Sequence, residues 1–222
     1  MMGYREFIRD TFNSYKCKSK TDEYRTIPIY NNGVLVGFLK PVTYLYKIIK
    51  PHYINLICQW REENEIGFAN KFHGTHNKTE NWIDNMLLPR EDRILFMVHT
   101  LENVPVGHLG FSSFNFETRS CEVDNVVRGV KGVNKGIMSA AMNTLIEWGK
   151  QNLDLQKIYL RVLADNPHAI KFYQKLGFEE VERIPLYKKE TKDLIEWVED
   201  EEFKKRKPAR FHICMKLLHQ DG

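Results

Sequence analysis

The segment VDNVVRGVKGVNKGIMSAAM, residues 123–142, carries the strongest indication of the fold. Its first residues end a β-rich run, and from Ile137 onward apolar residues recur at helical spacing. The turn between them contains three glycines, which are Gly129, Gly132 and Gly136. Glycines let backbone N–H groups converge, and the start of a helix is electropositive. This strand, glycine-rich turn and helix therefore predict a site for a phosphate or pyrophosphate group.

Basic residues add positive charge to the same turn, namely Arg128, Lys131 and Lys135. The glycine spacing differs from G-x-x-x-x-G-K-[ST], and no G-x-G-x-x-G occurs, so the fingerprints for ATP and for dinucleotides are absent. Taken alone, the turn is explained equally well as a glycine-rich connection that binds nothing.

The sequence before the turn predicts a hairpin, two helices and three further strands. Asn31-Asn32-Gly33 separates two β-rich runs, which favours a tight turn. Helical spacing covers Pro51–Asn64, and a second helix is predicted from Thr79, as its N-cap, to Leu88. The three strands that follow are Arg93–His99, Val106–Phe114 and Ser120–Val127. Their short polar connectors predict an antiparallel meander.

The rest of the chain completes a mixed α/β fold with a mostly antiparallel central sheet and flanking helices. The predicted elements are a helix at Ile137–Gln151, a strand at Lys157–Leu163, a helix at Pro167–Leu176, a strand from Phe178 and a last strand at Phe211–Leu218. Residues 1–25 are predicted to form an N-terminal arm or helix, and 26–222 a single domain. A charged insert at about 188–210 is predicted to be a solvated helix or loop.

The composition excludes several classes of protein. A length of 222 residues suits about one domain, and 42% hydrophobic with 28% charged residues is ordinary for a globular chain. The net charge of +4 is too small to indicate nucleic acid or an anionic membrane, and no apolar run approaches about 18 residues. The first residues carry charges where a signal peptide would be apolar. Four cysteines without a C-x-x-C pair fit a reducing cytoplasm.

A second motif makes the first more specific. The strand KIYLRVL precedes ADNPHAIKFYQKLGF, residues 164–178. With the glycine-rich turn, its pattern N-P-x-A-x-x-F-Y-x-K-x-G-F resembles the GCN5-related N-acetyltransferase (GNAT) superfamily over roughly residues 90–187, and more loosely over the whole chain. The turn departs from that superfamily's pattern of Gln or Arg, two residues, Gly, one residue, and Gly or Ala. Aligned on Gly136, the outer positions are Val133 and Met138.

The resemblance implies an acyl-CoA N-acyltransferase fold that moves acetyl from acetyl-CoA to a primary amine by direct attack in a ternary complex. It implies exposed backbone N–H groups on a strand that separates from its neighbour. It also places Tyr173 as the acid that protonates the CoA thiolate and Asn166 as a cofactor contact, with a core tyrosine and a helix cap as the alternatives. The other implied cofactor-binding residues are Asn125, Val126, Val127, Arg128, Gly132, Asn134, Lys135, Gly136 and Ile137.

The general base is left open between Glu122, Asp124, His108 and a water molecule. Glu122 and Asp124 are two apart on one strand and project from the same face, where paired acids could hold a cationic amine. One or both could instead face solvent or pair with Arg119. An acetyl-enzyme on Cys121 lacks an obvious base. No metal site is expected, because His73-x-x-His76 has no carboxylate or cysteine nearby to complete it.

The acceptor side is predicted to come from the N-terminal helices, through Trp60, Arg61, Phe72 and Trp82. Flat rings and cations can stack on a base or sugar and neutralise a phosphate. The alternative is that the aromatic residues are core. This half resembles bacterial acetyltransferases of nucleotide-linked amino sugars in surface-glycan synthesis. Protein N-terminal acetyltransferase and non-catalytic CoA-binding protein are the alternatives. The expected partner is a small molecule rather than nucleic acid or a membrane, and the expected assembly is a monomer or homodimer.

Overall fold

The computed structural model describes residues 3–71, 75–132, 134–191, 194–199 and 207–218. Its helices are α1 (Tyr4–Lys16), α2 (Tyr46–Ile49), α3 (His52–Glu63), α4 (His76–Trp82), α5 (Ile137–Leu153) and α6 (Pro167–Lys175). Its strands are β1 (Ile27–Asn31), β2 (Val34–Pro41), β3 (Asn70–Lys71), β4 (Ile94–Thr100), β5 (Pro105–Asn115), β6 (Ser120–Arg128), β7 (Lys157–Leu163), β8 (Phe178–Thr191), β9 (Leu194–Val198) and β10 (Arg210–Leu217).

The described strands form one sheet in the order β1-β2-β4-β5-β6-β7-β10-β8-β9-β3. Within the described part of the chain, β6 and β7 are the one parallel pair, and the other neighbours run antiparallel. The parallel pair requires a crossover, which α5 provides. The predicted mixed α/β fold with a mostly antiparallel sheet is confirmed.

Two hydrophobic cores lie on opposite faces of the sheet. Side chains alternate along a strand, so Ile94 and Phe96 of β4 join one core while Leu95 and Met97 join the other. The first core also contains residues of α1, α5 and α6, and the second contains residues of α2 and α3. None of the helices in the described ranges is long and apolar enough to cross a membrane.

The N-terminal helix is part of the first core rather than a loose arm. Its Ile8 and Phe12 are fully buried there. The buried amine of Lys16 donates hydrogen bonds to the carbonyl oxygens of Leu88 at 3.0 Å and Arg90 at 2.6 Å. These bonds tie the end of α1 to the segment that follows α4.

The β1–β2 turn forms as the Asn-Gly pair predicts. Asn32 has φ 49° and Gly33 has φ 78°, and a tight hairpin turn with two left-handed residues matches the twist of the flanking strands. The predicted N-cap Thr79 is wrong. The hydroxyl of Thr75 accepts a hydrogen bond from the Lys78 N–H at 3.2 Å, so α4 begins at His76 and Thr79 is buried inside it. A π-helical turn, Ile83–Leu87, continues α4.

The charged insert is a β-hairpin in its described part, not a helix or loop. Strand β8 runs to Thr191 and pairs with β9. Strand β9 in turn pairs with β3, which follows α3. The guanidinium of Arg210 lies 4.8 Å from the ring centre of Trp197 on β9. Pairing with neighbouring strands gives the backbone N–H and C=O groups of this polar segment their hydrogen-bond partners. The number of charged residues in the segment does not predict such pairing. Residues 200–206 lie outside the described ranges.

Candidate functional site

Strands β6 and β7 separate at their carboxyl ends. They pair from Ser120 with Lys157 up to Val123 with Leu160. Beyond that pair, β6 continues to Arg128 and β7 to Leu163 without pairing to each other. The gap lies at the change of strand direction where the sequence places the site.

A β-bulge at Asn125 marks the start of the gap. His108 of β5 pairs with Val127, and Gly110 pairs with Asp124, so two residues of β6 stand opposite Leu109 alone. Asn125 takes a left-handed conformation with φ 53°. Bulges of this kind turn the strand and redirect its backbone groups.

The bulge leaves one of the three expected N–H donors facing the gap. Hydrogen-bonded and non-hydrogen-bonded pairs alternate in an antiparallel ladder, and the Gly129 N–H bonds the Val106 carbonyl at 2.9 Å. Two residues back, the Val127 N–H is therefore directed at β5, and the Val126 N–H points to the opposite side, toward the gap. The Asn125 N–H donates to the Asp124 carboxylate at 2.7 Å. The prediction that Asn125 exposes its N–H to the site is therefore wrong, whereas the orientation of the Val127 N–H follows from the ladder register alone.

The imidazole of His108 lies directly behind the bulge. Its Nδ1 is 2.7 Å from the Asn125 carbonyl oxygen, and since that oxygen only accepts, Nδ1 carries the proton. Burial lowers the pKa of His108 to about 4, so the ring is neutral near pH 7. Its Nε2 therefore holds a lone pair and has no partner among the described residues. The ring stacks on the indole of Trp60, with centroids 6.1 Å apart.

The carboxylate of Asp124 lies among cations at the mouth of the gap. Arg93 Nη2 is 3.5 Å from Asp124 Oδ2, and the Asn125 side-chain amide donates to the same oxygen at 2.8 Å. Burial lowers the pKa of the Arg61 guanidinium, and the nearby charge of Asp124 opposes that shift. The Arg61 guanidinium lies 4.2 Å from the ring centre of Phe68. Asp124 is thus a half-buried carboxylate that contacts the Arg93 guanidinium and acts electrostatically on that of Arg61.

Glu122 is held in an ion pair across the two strands. Arg161 of β7 forms an ion pair with it at 2.9 Å. Arg161 also pairs with Glu199 after β9 at 2.9 Å, and Glu199 reaches His212 Nδ1 at 2.9 Å. This chain of contacts fastens the end of the hairpin to the sheet. The alternative partner Arg119 instead forms an ion pair with Asp154.

Tyr173 lies on α6 and is 8% exposed. Its ring packs edge-on against Phe172 and Phe178, with centroids 5.3 and 6.2 Å away. Burial and, next, the charge of Asp124 raise its pKa well above the ordinary value. The phenol is therefore protonated at any working pH, and the charge of Asp124 acts on it. Its hydroxyl has no hydrogen-bond partner in the described part of the chain.

The turn before α5 has the backbone that a phosphate cradle needs. Gly132, Asn134 and Gly136 have left-handed φ values of 83°, 43° and 91°. These three residues are exposed, as are Arg128 and Lys135. The N–H of Ile137, another of the predicted cofactor-binding residues, donates to the Asn134 carbonyl at 3.0 Å.

The remaining N–H groups of this turn, with Arg128 and Lys135 and the start of α5, form a donor set that fits a pyrophosphate. Gly132, Asn134, Lys135 and Gly136 contribute these N–H groups. Among the described residues, no three His, Cys, Asp or Glu side chains are placed to hold a metal ion.

Met138 stands at the position where the superfamily's pattern has Gly or Ala, and its side chain faces the core. Met138 is 7% exposed, and a Cβ added to Gly107 of β5 would lie only 2.8 Å from its sulfur. The missing side chain at Gly107 makes room for Met138 away from the turn. Asn166 is the N-cap of α6, because its side-chain oxygen accepts from the Ala169 N–H at 3.2 Å.

Three of the four residues predicted for the acceptor side are described, and they lie in different surroundings. Trp60 is 2% exposed in the second core, so the prediction that it stacks on an acceptor is wrong. Trp82 is half-buried against the same core. Arg61 remains beside Asp124, and Phe72 lies outside the described residues. The predicted site residues do not include Arg93 and Arg161, which pair with Asp124 and Glu122. The available signal was an arginine just before one apolar strand and an arginine within another.

The Trp60 ring fills the space that a side chain at Gly129 would need. A Cβ there would overlap the indole, which is buried and cannot withdraw. Gly129→Ala should therefore lower the free energy of unfolding by about 3 kcal/mol. Urea denaturation measures the change. As a control, Gly132→Ala adds a Cβ in open space at φ 83° and should cost about 1 kcal/mol. Equal losses in both variants would contradict the packing described.

Comparisons with known proteins agree with this fold. The profile of the "Acetyltransferase (GNAT) family" matches residues 54–178. Spermidine N(1)-acetyltransferase of Vibrio cholerae is 28% identical over 85 residues, 38% of this chain and 49% of that protein. L-amino acid N-acetyltransferase AaaT of Escherichia coli is 34% identical over 84 residues, 37% of this chain and 52% of that protein. The matches thus span about half the length of these two relatives.

Solved structures share the fold at low sequence identity. The complex of Vibrio cholerae spermidine N-acetyltransferase with CoA and spermine superposes with a TM-score of 0.57 at 17% identity, over 77% of this chain and 92% of that chain. A probable acetyltransferase of the GNAT family from Chromobacterium violaceum gives 0.60 at 11% identity, over 91% and 94%. Neither these names nor those of the sequence relatives point to a nucleotide-linked amino sugar, so that part of the predicted resemblance is unsupported.

Proposed function

The chain belongs to the acetyltransferase (GNAT) family, and we propose that it transfers an acetyl group from acetyl-CoA to the nitrogen of an amine. The observation that carries the proposal is the gap between β6 and β7. The Val126 N–H points toward it, Asp124 follows the last paired residue of β6, and the protonated Tyr173 is near enough for the charge of Asp124 to raise its pKa. The turn at 129–136 offers a pyrophosphate cradle at the same end of the strands.

Acetyl-CoA supplies the acetyl group as a thioester that an uncharged amine can attack. The N–C bond forms as the C–S bond breaks, the amine gives up a proton, and the CoA sulfur receives one. Asp124 is the proposed acceptor of the amine's proton, directly or through water, because Glu122 is held by Arg161. Tyr173 is the proposed donor to the sulfur. The Val126 N–H stabilises the negative charge that develops on the carbonyl oxygen.

The charges around Asp124 favour an acceptor that carries an anionic group besides its amine. Arg61 and Arg93 lie beside this carboxylate, and guanidinium groups bind carboxylates and phosphates in pairs of hydrogen bonds. An amino acid or the end of a peptide meets this requirement through its carboxylate. A nucleotide-linked amino sugar would meet it through its phosphates, but burial of Trp60 removes the ring proposed to stack on it. A polyamine lacks the anionic group. We further propose a reducing compartment, the cytoplasm, because all four cysteines are free thiols.

Acetyl-CoA binding by calorimetry and thiol release with an acceptor panel test the proposal. The panel contains L-amino acids, a short peptide, a UDP-linked amino sugar and spermidine. We expect thiol release to be fastest with an acceptor that carries both an amine and an anionic group. Release with spermidine alone would overturn the proposed acceptor class. Binding of acetyl-CoA without release on any amine would favour a non-catalytic CoA-binding protein.

Arg61 offers a sharper test of the acceptor class. Arg61→Gln should raise the KM for the preferred anionic acceptor about tenfold or more, because one charge-assisted contact is lost. The KM for acetyl-CoA should not change. Arg5→Gln, on the exposed side of α1, is the matched control and should alter neither constant. An unchanged acceptor KM in Arg61→Gln would remove this guanidinium from acceptor binding.

A further inference from the structure

One peptide group joins His108 to the proposed site of charge stabilisation. The Asn125 carbonyl and the Val126 N–H belong to the same peptide unit. The described chain has no cis peptide bond, so this carbonyl and this N–H point in opposite directions. The His108 Nδ1–H holds the carbonyl at 2.7 Å on the β5 side. The same bond therefore fixes the Val126 N–H on the gap side.

The bulge needs such a restraint. Its residues are not held by the regular ladder, because two residues of β6 face only Leu109. Asn125 is also in a left-handed conformation, which is a sparsely populated state for a residue with a side chain. Without a donor behind it, the Asn125 carbonyl would be buried without a partner or would rotate. Rotation of that peptide would turn the Val126 N–H out of the gap.

The imidazole is itself held rigidly. It is 2% exposed and stacks on the buried ring of Trp60, which in turn packs on the backbone of Gly129. The charged groups that act on it are Asp124 and Arg61. Its Nε2 has no partner among the described residues. Within that part of the chain, the ring therefore forms one hydrogen bond, from Nδ1 to the Asn125 carbonyl. A histidine kept only for packing would have no need of this bond.

We propose that His108 is a positioning residue, which presents the Val126 N–H to the reacting carbonyl by holding the Asn125 carbonyl from behind. The effect of His108 on catalysis rests on the proposed function, whereas its hydrogen bond to the Asn125 carbonyl does not. A carbonyl that accepts a hydrogen bond also polarises its peptide, which strengthens the N–H on the other side. Asp124 and Tyr173 act on protons, whereas His108 acts through the backbone and touches neither substrate.

Two substitutions separate this role from packing. His108→Leu fills the site without a donor, and His108→Asn places an amide N–H near the position of Nδ1. In ¹⁵N-valine-labelled protein without ligands, we expect the Val126 amide resonance to shift in His108→Leu and to return toward its wild-type position in His108→Asn. Val126→Ile identifies the resonance. Should His108→Leu fail to fold, His108→Gln replaces it, because its amide is one bond too long for the same contact.

Bound acetyl-CoA gives the second readout. With the thioester carbonyl labelled with ¹³C, its infrared band should move to lower wavenumber on binding to the wild type. The shift should shrink in His108→Leu and recover in His108→Asn. The kcat should follow the same order, with a loss of about tenfold to a hundredfold in His108→Leu and an unchanged Kd for acetyl-CoA.

The outcomes distinguish this inference from the proposed function. A Val126 resonance that does not respond to His108→Leu overturns the positioning role, whatever the enzyme acetylates. Equal amide shifts in the Leu and Asn variants overturn it as well, because packing alone would then explain them. A wild type that releases no thiol with any amine overturns the proposed function, while the amide resonances still decide the role of His108.

Discussion

Tyr173→Phe should lower kcat by about a hundredfold or more, because the CoA sulfur would then leave without a proton from the protein. The substitution removes one oxygen from a ring that is packed between Phe172 and Phe178, so the fold should tolerate it. No hydrogen bond to the described part of the chain is lost with the hydroxyl. The Kd for acetyl-CoA should stay within a few-fold of the wild type, and calorimetry beside steady-state kinetics measures both.

Tyr53→Phe is the matched control for Tyr173→Phe. Tyr53 is also a buried tyrosine whose pKa is raised by burial, but its hydroxyl lies 2.8 Å from His99 Nε2, away from the gap. This variant should lose some stability and keep its kcat. A similar fall of kcat in both variants would mean that general loss of packing explains the effect. A normal kcat in Tyr173→Phe would remove the tyrosine as the acid.

Acidification from pH 8 to pH 5 should cost about 4 kcal/mol of stability through two buried histidines. Burial lowers the pKa of both His99 and His108 to about 4, against about 6.5 in the unfolded chain. Between these values the unfolded state binds more protons than the folded state, so stability falls as pH falls. The stabilisation is complete above about pH 6.5, and each histidine loses about 2 kcal/mol by pH 5.

Urea denaturation at pH 8 and pH 5 measures this loss. The groups around His99 are Tyr53, the Asn103 carbonyl, Lys40 and Lys50. None of the four is a carboxylate that would stabilise the protonated imidazole. His99→Gln should therefore remove about half of the pH dependence, and His168→Gln, at an exposed position of α6, should leave it intact. An unchanged pH dependence in His99→Gln would show that other groups cause the loss.

The sequence predicts the order of elements well because each depends on a local pattern. The spacing of apolar residues or the presence of turn residues predicts the turn at Asn32-Gly33, the strand Lys157–Leu163 and the start of α5. The hairpin β8–β9 does not, since its pairing depends on the edge offered by β8 and on β3, about 125 residues earlier.

The candidate site also combines features that the local sequence predicts with features that depend on distant strands. Motif spacing predicts roles for Tyr173 and for the turn at 129–136, because each motif is one short continuous stretch of sequence. It does not tell Glu122 from Asp124, because the difference lies in Arg161 on one strand and Arg93 on another. Nor does it show which backbone N–H faces the gap, since the register across β5 and the bulge decide that.

The parallel direction of β6 and β7 has a consequence for how two molecules could meet. An antiparallel pair is closed at one end by its own connecting turn, whereas the chain between β6 and β7 leaves over one face through α5. Beyond their last pair the two strands are therefore not joined, and both faces of the sheet meet at this point. The proposed pyrophosphate cradle precedes α5 on one face, and Arg61 belongs to α3 on the other. Under the proposed function, a donor and an acceptor would enter from opposite faces and be bound together, without either having to leave first.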